Sequence, residues 1–353
     1  MKNTILAASL TLLAAGLPLV AFGQEQAILD AAKVEGRVSV YSALDAALAQ
    51  RLVTDFQELH PEIKVDYVDQ STTEIYNRAI SEAAAGSGTA DILLSSSMDL
   101  QYKLMSDGVV SDFTLPDTTA LQPWSHAPSA VYGFTQEPLV IVYNKRLVPE
   151  ADVPANRKEL IELLAKPEYL DKVATIDPER IGTGFMFFTL DERADPDNFW
   201  TLADALGKAR VKLYTSTGAM LEKVTSGEHL IAYNIIGSYA AERAKADSAI
   251  GVVYPDDYIN AISRLAMIPK TAPHPNAGQV FLEYLVSERA QQILLASSFG
   301  TVRTDLSPAT VVPEDKAALV RPTTVDDSLL HYLDQSTRLQ FIRRWQQAMK
   351  GGN

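Results

Sequence analysis

Side chains able to hold a small polar solute recur at a few short stretches: Ser42, Ser71-Thr72-Thr73, Ser95-Ser96-Ser97, Gly182-Thr183-Gly184 and Ser216-Thr217-Gly218. Hydroxyls and glycines offer neutral hydrogen-bond donors and close backbone approach. Where such a stretch opens a helix, the free N–H groups of the first turn add a preference for anions. Taken singly, each Ser or Thr reads first as a helix cap. Tyr233, Asn234 and Tyr239 lie around a further strand-to-helix corner, so at least one should face a binding gap. Tyr233 alternates with Ile231 and reads as core, and Asn234 could cap the helix that follows. Arg78, Arg180 and Arg243 are the cations nearest these turns and are either structurally paired or suited to clamp a carboxylate or phosphate. The five histidines, His60, His126, His229, His274 and His331, lack metal-ligand spacing, so no metal or cofactor site is expected. No G-x-S-x-G, S-x-x-K, H-E-x-x-H or P-loop pattern occurs, which points away from an enzyme.

The elements that must position these turns follow from periodicity. Apolar strands over 37–41, 63–68 and 90–94 each run into a hydroxyl-rich turn and then an amphipathic helix, the pattern of a parallel sheet with right-handed crossovers. In such sheets the carboxyl edge of the strands is where ligands bind, and the hydroxyl turns all fall on that edge. The run 139–143 (LVIVY) is apolar on both faces and reads as a doubly buried strand carrying the chain into a second lobe. Strand and helix signals then repeat to residue 245; 251–254 reads as a second crossover strand, and 264–268 re-enters the first lobe. The expected division is 24–138 with about 264–320 as lobe 1, 139–263 as lobe 2, and a C-terminal helical segment over 321–353.

Residues 1–23 combine an early lysine, an apolar stretch and small residues before Gln24, which reads as a cleavable secretory signal. The chain has no cysteine, which leaves out a lipid-anchored N-terminal Cys, disulfides and thiol chemistry. About 330 residues would remain after cleavage, beyond the size at which one core keeps growing. The net charge of −13, about −14 without Lys2, argues against nucleic acid and anionic membranes as partners.

Several segments together, RVSVYSALDAALAQRLVTDFQELHPEIKVDYV, ADILLSSSMDL, PLVIVYNKRLV, GEHLIAYN and IPKTAPHPNAGQVFLEYLVSERAQ, resemble the solute-binding proteins of ABC importers, in particular the ferric-binding branch with its organic-anion and sugar-phosphate relatives. The resemblance implies an α/β fold of the type II periplasmic kind, with two α/β lobes joined by two crossover strands that close on a solute. Ferric-binding members carry a Y-Y-x-x-R pattern. In the matching stretch Tyr239 fits the first tyrosine, while Ala240 stands where the second belongs. Ferric iron wants several anionic oxygens, so the expectation is a small organic anion or phosphorylated metabolite, with Gly182, Thr183 and Gly184 matching the family's anion position. The resemblance further implies a periplasmic monomer delivering its ligand to an inner-membrane permease, with ferric binding and presentation to a sensor kinase as alternatives.

Overall fold

The computed structural model describes residues 18–307 and 311–351, with side chains from residue 25 onward. The signal expected over 1–23 lies outside the described residues, apart from the backbone of 18–23. The chain begins with α1 (Pro18–Glu35), β1 (Arg37–Ser42), α2 (Ala46–Leu59), β2 (Lys64–Asp69), α3 (Thr72–Ala85), β3 (Ile92–Ser95), α4 (Met98–Ser106) and β4 (Tyr132–Gly133). It continues through β5 (Glu137–Asn144), α5 (Arg157–Leu164), β6 (Val173–Ile176), α6 (Gly182–Ala194), α7 (Pro196–Lys208), β7 (Lys212–Tyr214), α8 (Thr217–Ser226), β8 (Ile231–Ile236), α9 (Gly237–Ala246), β9 (Ile250–Val253) and β10 (Ile259–Ile262). It then returns for β11 (Leu265–Met267), α10 (Pro275–Val286) and α11 (Glu288–Ala296), and ends with β12 (Val320–Pro322) and α12 (Gln335–Lys350).

These strands form two sheets. The first has the order β2-β1-β3-β11-β4, with β1 parallel to both β2 and β3. The second has the order β12-β10-β5-β8-β6-β7, with β6 parallel to β7 and β8, and with β9 also paired to β5. The apolar periodicity of α2 explains its place on the first sheet: Ala49, Leu52, Val53 and Phe56 are buried, and Phe56 meets Phe281 edge-on at 4.9 Å.

The sheets are joined where β4 runs into β5 and where β10 runs into β11. The two passes lie side by side. Phe134 N–H donates to the Arg264 carbonyl at 2.9 Å, and Arg264 N–H donates to Thr135 Oγ1 at 2.8 Å. A third stretch joins them, as Gln136 and Gly300 exchange backbone hydrogen bonds at 3.2 and 3.0 Å. The second pass is therefore at Ser263–Arg264 rather than at 251–254. Those residues lie in β9, which stays within the second sheet beside β5, because a short apolar run reads alike in either place.

The C-terminal residues dock on the second lobe. Phe341 stacks on Phe199 at 5.7 Å, Trp345 packs on Phe188 at 4.4 Å, and α12 approaches α7 so closely that a Cβ on Gly207 would lie 2.1 Å from the Ala348 carbonyl oxygen. The main chain of β12 pairs with β10 in the second sheet. No described helix is long and apolar enough to cross a membrane.

Candidate functional site

Each turn after a parallel strand presents a helix N-terminus, and most of its polar groups are consumed locally. Ser42 is fully buried, and its Oγ accepts from Leu44 N–H at 3.0 Å. Ser71 and Glu74 form a reciprocal capping box on α3, at 3.3 and 2.8 Å. Ser95 Oγ accepts from Ser97 N–H at 3.2 Å. Ser216 caps α8 by accepting from Ala219 N–H at 3.2 Å. Two residues depart from this habit: Thr72 is 4% exposed, yet its Oγ1 has no hydrogen-bond partner among the described residues, and neither has the buried Oε1 of Gln70.

The carboxyl edges of the two sheets face each other across a cavity of about 390 Å³. From the first lobe it is lined by Ala43, Asp45, Asp69, Gln70, Ser71, Thr72 and Ser96, and from the second by Ile176, Ile181, Thr183, Phe187, Thr215, Ser216, Thr217, Gly218, Ile236 and Tyr239. Arg264, from the second pass between the lobes, lies beneath both. This is the sheet edge at which open α/β folds place ligands.

Of the residues expected from sequence, the cavity brings together Ser71, Thr72, Ser96, Thr183, Ser216, Thr217 and Tyr239. It does not reach Ser42 or Ser95, whose hydroxyls are spent inside their own turns. Gly182 and Gly184 also lie off it. The Gly182 N–H donates to Thr73 Oγ1 at 3.2 Å, from one lobe to the other, and its α-carbon packs against Ser97 and Leu100. A Cβ on Gly184 would lie 2.4 Å from the Asp177 carbonyl oxygen, so this glycine allows close packing rather than access to the cavity.

Asn234 is turned into the interior of the second lobe. There Asp191, fully buried, accepts from Asn234 Nδ2 at 2.9 Å, Tyr233 OH at 2.7 Å, Asn260 Nδ2 at 3.0 Å, Tyr258 OH at 3.3 Å and Arg157 at 3.1 Å. The left-handed backbone of Asn234, φ 58°, is one that Asn tolerates better than most residues. The expectation that Tyr233 belongs to the core holds in this arrangement.

Sequence reading passed over Asp45, Asp69 and Arg264. The two aspartates were findable, since each follows a strand on the same edge as the hydroxyls. Asp45 Oδ1 caps α2 by accepting from Ala47 N–H at 3.2 Å, and Asp69 Oδ2 accepts from Ala46 N–H at 3.4 Å. Partial burial pushes the Asp69 carboxyl above its ordinary range; the Ala46 N–H opposes this and the neighbouring Asp45 adds to it. Arg264 carried no local signal, because its place depends on where the chain recrosses. Burial alone would lower its pKa, but Glu137, 2.9 Å from Nε, outweighs that and holds it charged. Its remaining donors reach Glu137 Oε2 at 3.4 Å and the Ala43 carbonyl at 3.0 Å.

Tyr239 spans the gap. Its hydroxyl, carried by α9 of the second lobe, accepts from Asp45 N–H of the first at 3.3 Å. Burial pushes the phenol up, against the pull of Arg264. Among the described residues no group of three or more His, Asp or Glu is arranged to hold a metal ion.

Residues 51–320 match the family model described as bacterial extracellular solute-binding protein. The structure is similar to that of a substrate-binding protein of an ABC transporter from Agrobacterium tumefaciens, with 36% identity, a TM-score of 0.84, and 89% of this chain and 94% of that one covered. It is also similar to the periplasmic binding protein AfuA from Actinobacillus pleuropneumoniae, solved with fructose-6-phosphate bound. There the identity is 15%, the TM-score 0.71, and the coverage 89% of this chain and 99% of that one. Among curated sequences, Iron uptake protein A1 of Synechocystis sp. is 24% identical over 254 residues, covering 67% of this chain and 68% of that protein.

Proposed function

The chain belongs to the family of bacterial extracellular solute-binding proteins, and from that premise we propose that its cavity captures a small solute through an anionic group. The protein serves as the extracytoplasmic solute-binding component of an ABC importer, and its relatives are binding proteins rather than enzymes. The observation that carries the anionic reading is the second-lobe wall. There the N-termini of α6 and α8 both open onto the cavity, with the Thr183, Ser216 and Thr217 side chains beside them. Free N–H groups and the positive helix ends favour a carboxylate, phosphate or phosphonate. A cavity of about 390 Å³ suits a metabolite of modest size.

Capture proceeds by closure of the lobes. The moving bodies are the first sheet with its helices on one side, and the second sheet with its helices, β12 and the docked α12 on the other. Two hydrogen bonds between the lobes, Asp45 N–H to Tyr239 OH and Gly182 N–H to Thr73 Oγ1, support a closed form in which solute bridges the two walls. A solute drives closure only by its preference for that form. The closed surfaces are what a membrane permease would engage. Iron is less well served here than an anion: Tyr239 is the one phenol lining the cavity among the described residues, and burial raises its pKa.

The test is calorimetry of the purified protein with small carboxylates, phosphate esters and phosphonates, and with ferric citrate as control. Saturable binding of at least one anion supports the reading. Uptake of ferric ion alone, lost in Tyr239→Phe, would replace it.

A further inference from the structure

We propose that the captured solute is a zwitterion, carrying at its far end a primary ammonium held by Asp45 and Asp69. The inference rests on the anionic reading above and adds the second pole. Capping of α2 occupies Asp45 Oδ1, and the Ala46 N–H occupies Asp69 Oδ2. The other oxygen of each carboxylate has no hydrogen-bond partner among the described residues, and neither aspartate forms an ion pair there. Arg264, the one cation lining the cavity among the described residues, does not neutralise them, because its guanidinium is engaged by Glu137 and the Ala43 carbonyl. A solute bearing only negative charge would therefore bring its charge towards two uncompensated carboxylates.

A second observation comes from Thr72. This side chain is 96% buried by its 4% exposure, lines the same cavity next to Ser71, and leaves its Oγ1 unpartnered. A buried hydroxyl without a partner is uncommon and costs free energy that a ligand donor would recover. The two free carboxylate oxygens, the Thr72 hydroxyl and Gln70 Oε1, which is also without a partner among the described residues, are acceptors enough for the three N–H donors of a primary ammonium. These residues line the first-lobe side of the cavity, opposite the helix N-termini of the second. Phe187, Ile176 and Ile236 supply an apolar stretch on the cavity wall. The chemistry that fits is a short alkyl chain with an ammonium at one end and a carboxylate or phosphonate at the other.

The experiment compares matched probes by calorimetry on the full protein: 5-aminopentanoate, pentanoate and pentylamine, with 3-aminopropylphosphonate and propylphosphonate. The zwitterion of at least one set is expected to bind about tenfold or more tightly than its anion-only partner. In the Asp45→Asn/Asp69→Asn protein that ratio is expected to fall to near one while the anion-only probe gains affinity, since asparagine keeps the capping oxygen and removes the repulsion. Equal or tighter binding of the anion-only probes in the native protein would overturn the zwitterion and leave the anionic reading standing. Binding of pentylamine alone would overturn the anionic reading. Silence from every probe and from ferric citrate would overturn both. Ferric citrate binding lost in Tyr239→Phe would replace both with a metal site.

Discussion

The molecule holds two sets of aspartates in opposite circumstances. In the interior of the second lobe Asp191 is fully buried and accepts five hydrogen bonds, one from a guanidinium that is itself only 3% exposed and stacks 3.6 Å over Tyr258. At the gap between the lobes Asp45 and Asp69 are exposed, each with one oxygen tied to a helix start and the other free. Asp191 is satisfied from within the protein, while the aspartates at the gap each keep one oxygen for solvent or solute. The contrast teaches that, in this fold, a polar side chain is assigned by whether its donors and acceptors are already met. Residue type and sequence neighbourhood mislead: Asn234 and Tyr239 flank the same strand-to-helix corner, yet Asn234 belongs to the satisfied interior and Tyr239 to the gap.

The strongest way to break this contrast is Asp191→Ala. It would leave Arg157 without the deepest of its partners and strip an acceptor from Tyr233, Asn234 and Asn260, so stability should fall by about 3–5 kcal/mol. Denaturant unfolding measures this, and a loss below about 1 kcal/mol would mean that Asp191 is no keystone. Asp45→Asn, by comparison, should stay within about 0.5 kcal/mol.

Thr183→Asp acts on the gap instead. A carboxylate in the first turn of α6 suits the helix, so the melting temperature should hold. It also repels an anionic group, and affinity for whichever anion binds should fall about 100-fold or more, roughly 2.7 kcal/mol. Unchanged affinity in calorimetry would remove this helix start from the site.

Tyr239→Phe deletes the Asp45 N–H to phenol bond and leaves the ring. The closed form should lose about 1 kcal/mol, read as a fivefold weaker affinity and, by small-angle scattering, a larger mean radius at subsaturating ligand. Identical scattering profiles would show that the bond does not hold the lobes together.

The smallest effect tests an aspartate that is exposed yet satisfied. Asp334 caps α12 through Ser336 and Thr337, whose hydroxyl and backbone groups hold its carboxyl down at about 2. A depressed folded pKa stabilises above the unfolded value of about 3.9 and is lost as the pH falls towards about 2. Asp334→Ala should therefore flatten slightly the acid limb of the stability profile and leave neutral ligand affinity untouched. A shift in affinity would mean that α12 communicates with the gap.

Much of the architecture was legible because local signals and global fold agree. Strand, hydroxyl turn and helix in succession over β1, β2 and β3 specify a parallel sheet and its binding edge, and the doubly apolar run of β5 marks a central strand. The remainder depended on partners distant in sequence. β9 is as apolar as a crossing strand, and only its pairing with β5 places it inside the sheet. Gly182 and Gly184 read as a cradle for an anion, but what presses on them, Ser97, Leu100 and the Asp177 carbonyl, is invisible without the packed structure. Asp45 and Asp69 sat on the predicted edge and needed only the rule already applied to the hydroxyls.

The base of the cavity belongs to the strip that joins the two lobes. Arg264 lies in the strip where two passes of the chain are stitched together, and its ion pair with Glu137 joins one pass to the other. With closure as proposed above, rotation about that strip would swing the walls and leave Arg264 nearly still, so a solute would meet the helix starts and carboxylates of both walls together only on enclosure. Selection among rivals would then be exercised largely through dwell time, by how well the walls retain each one.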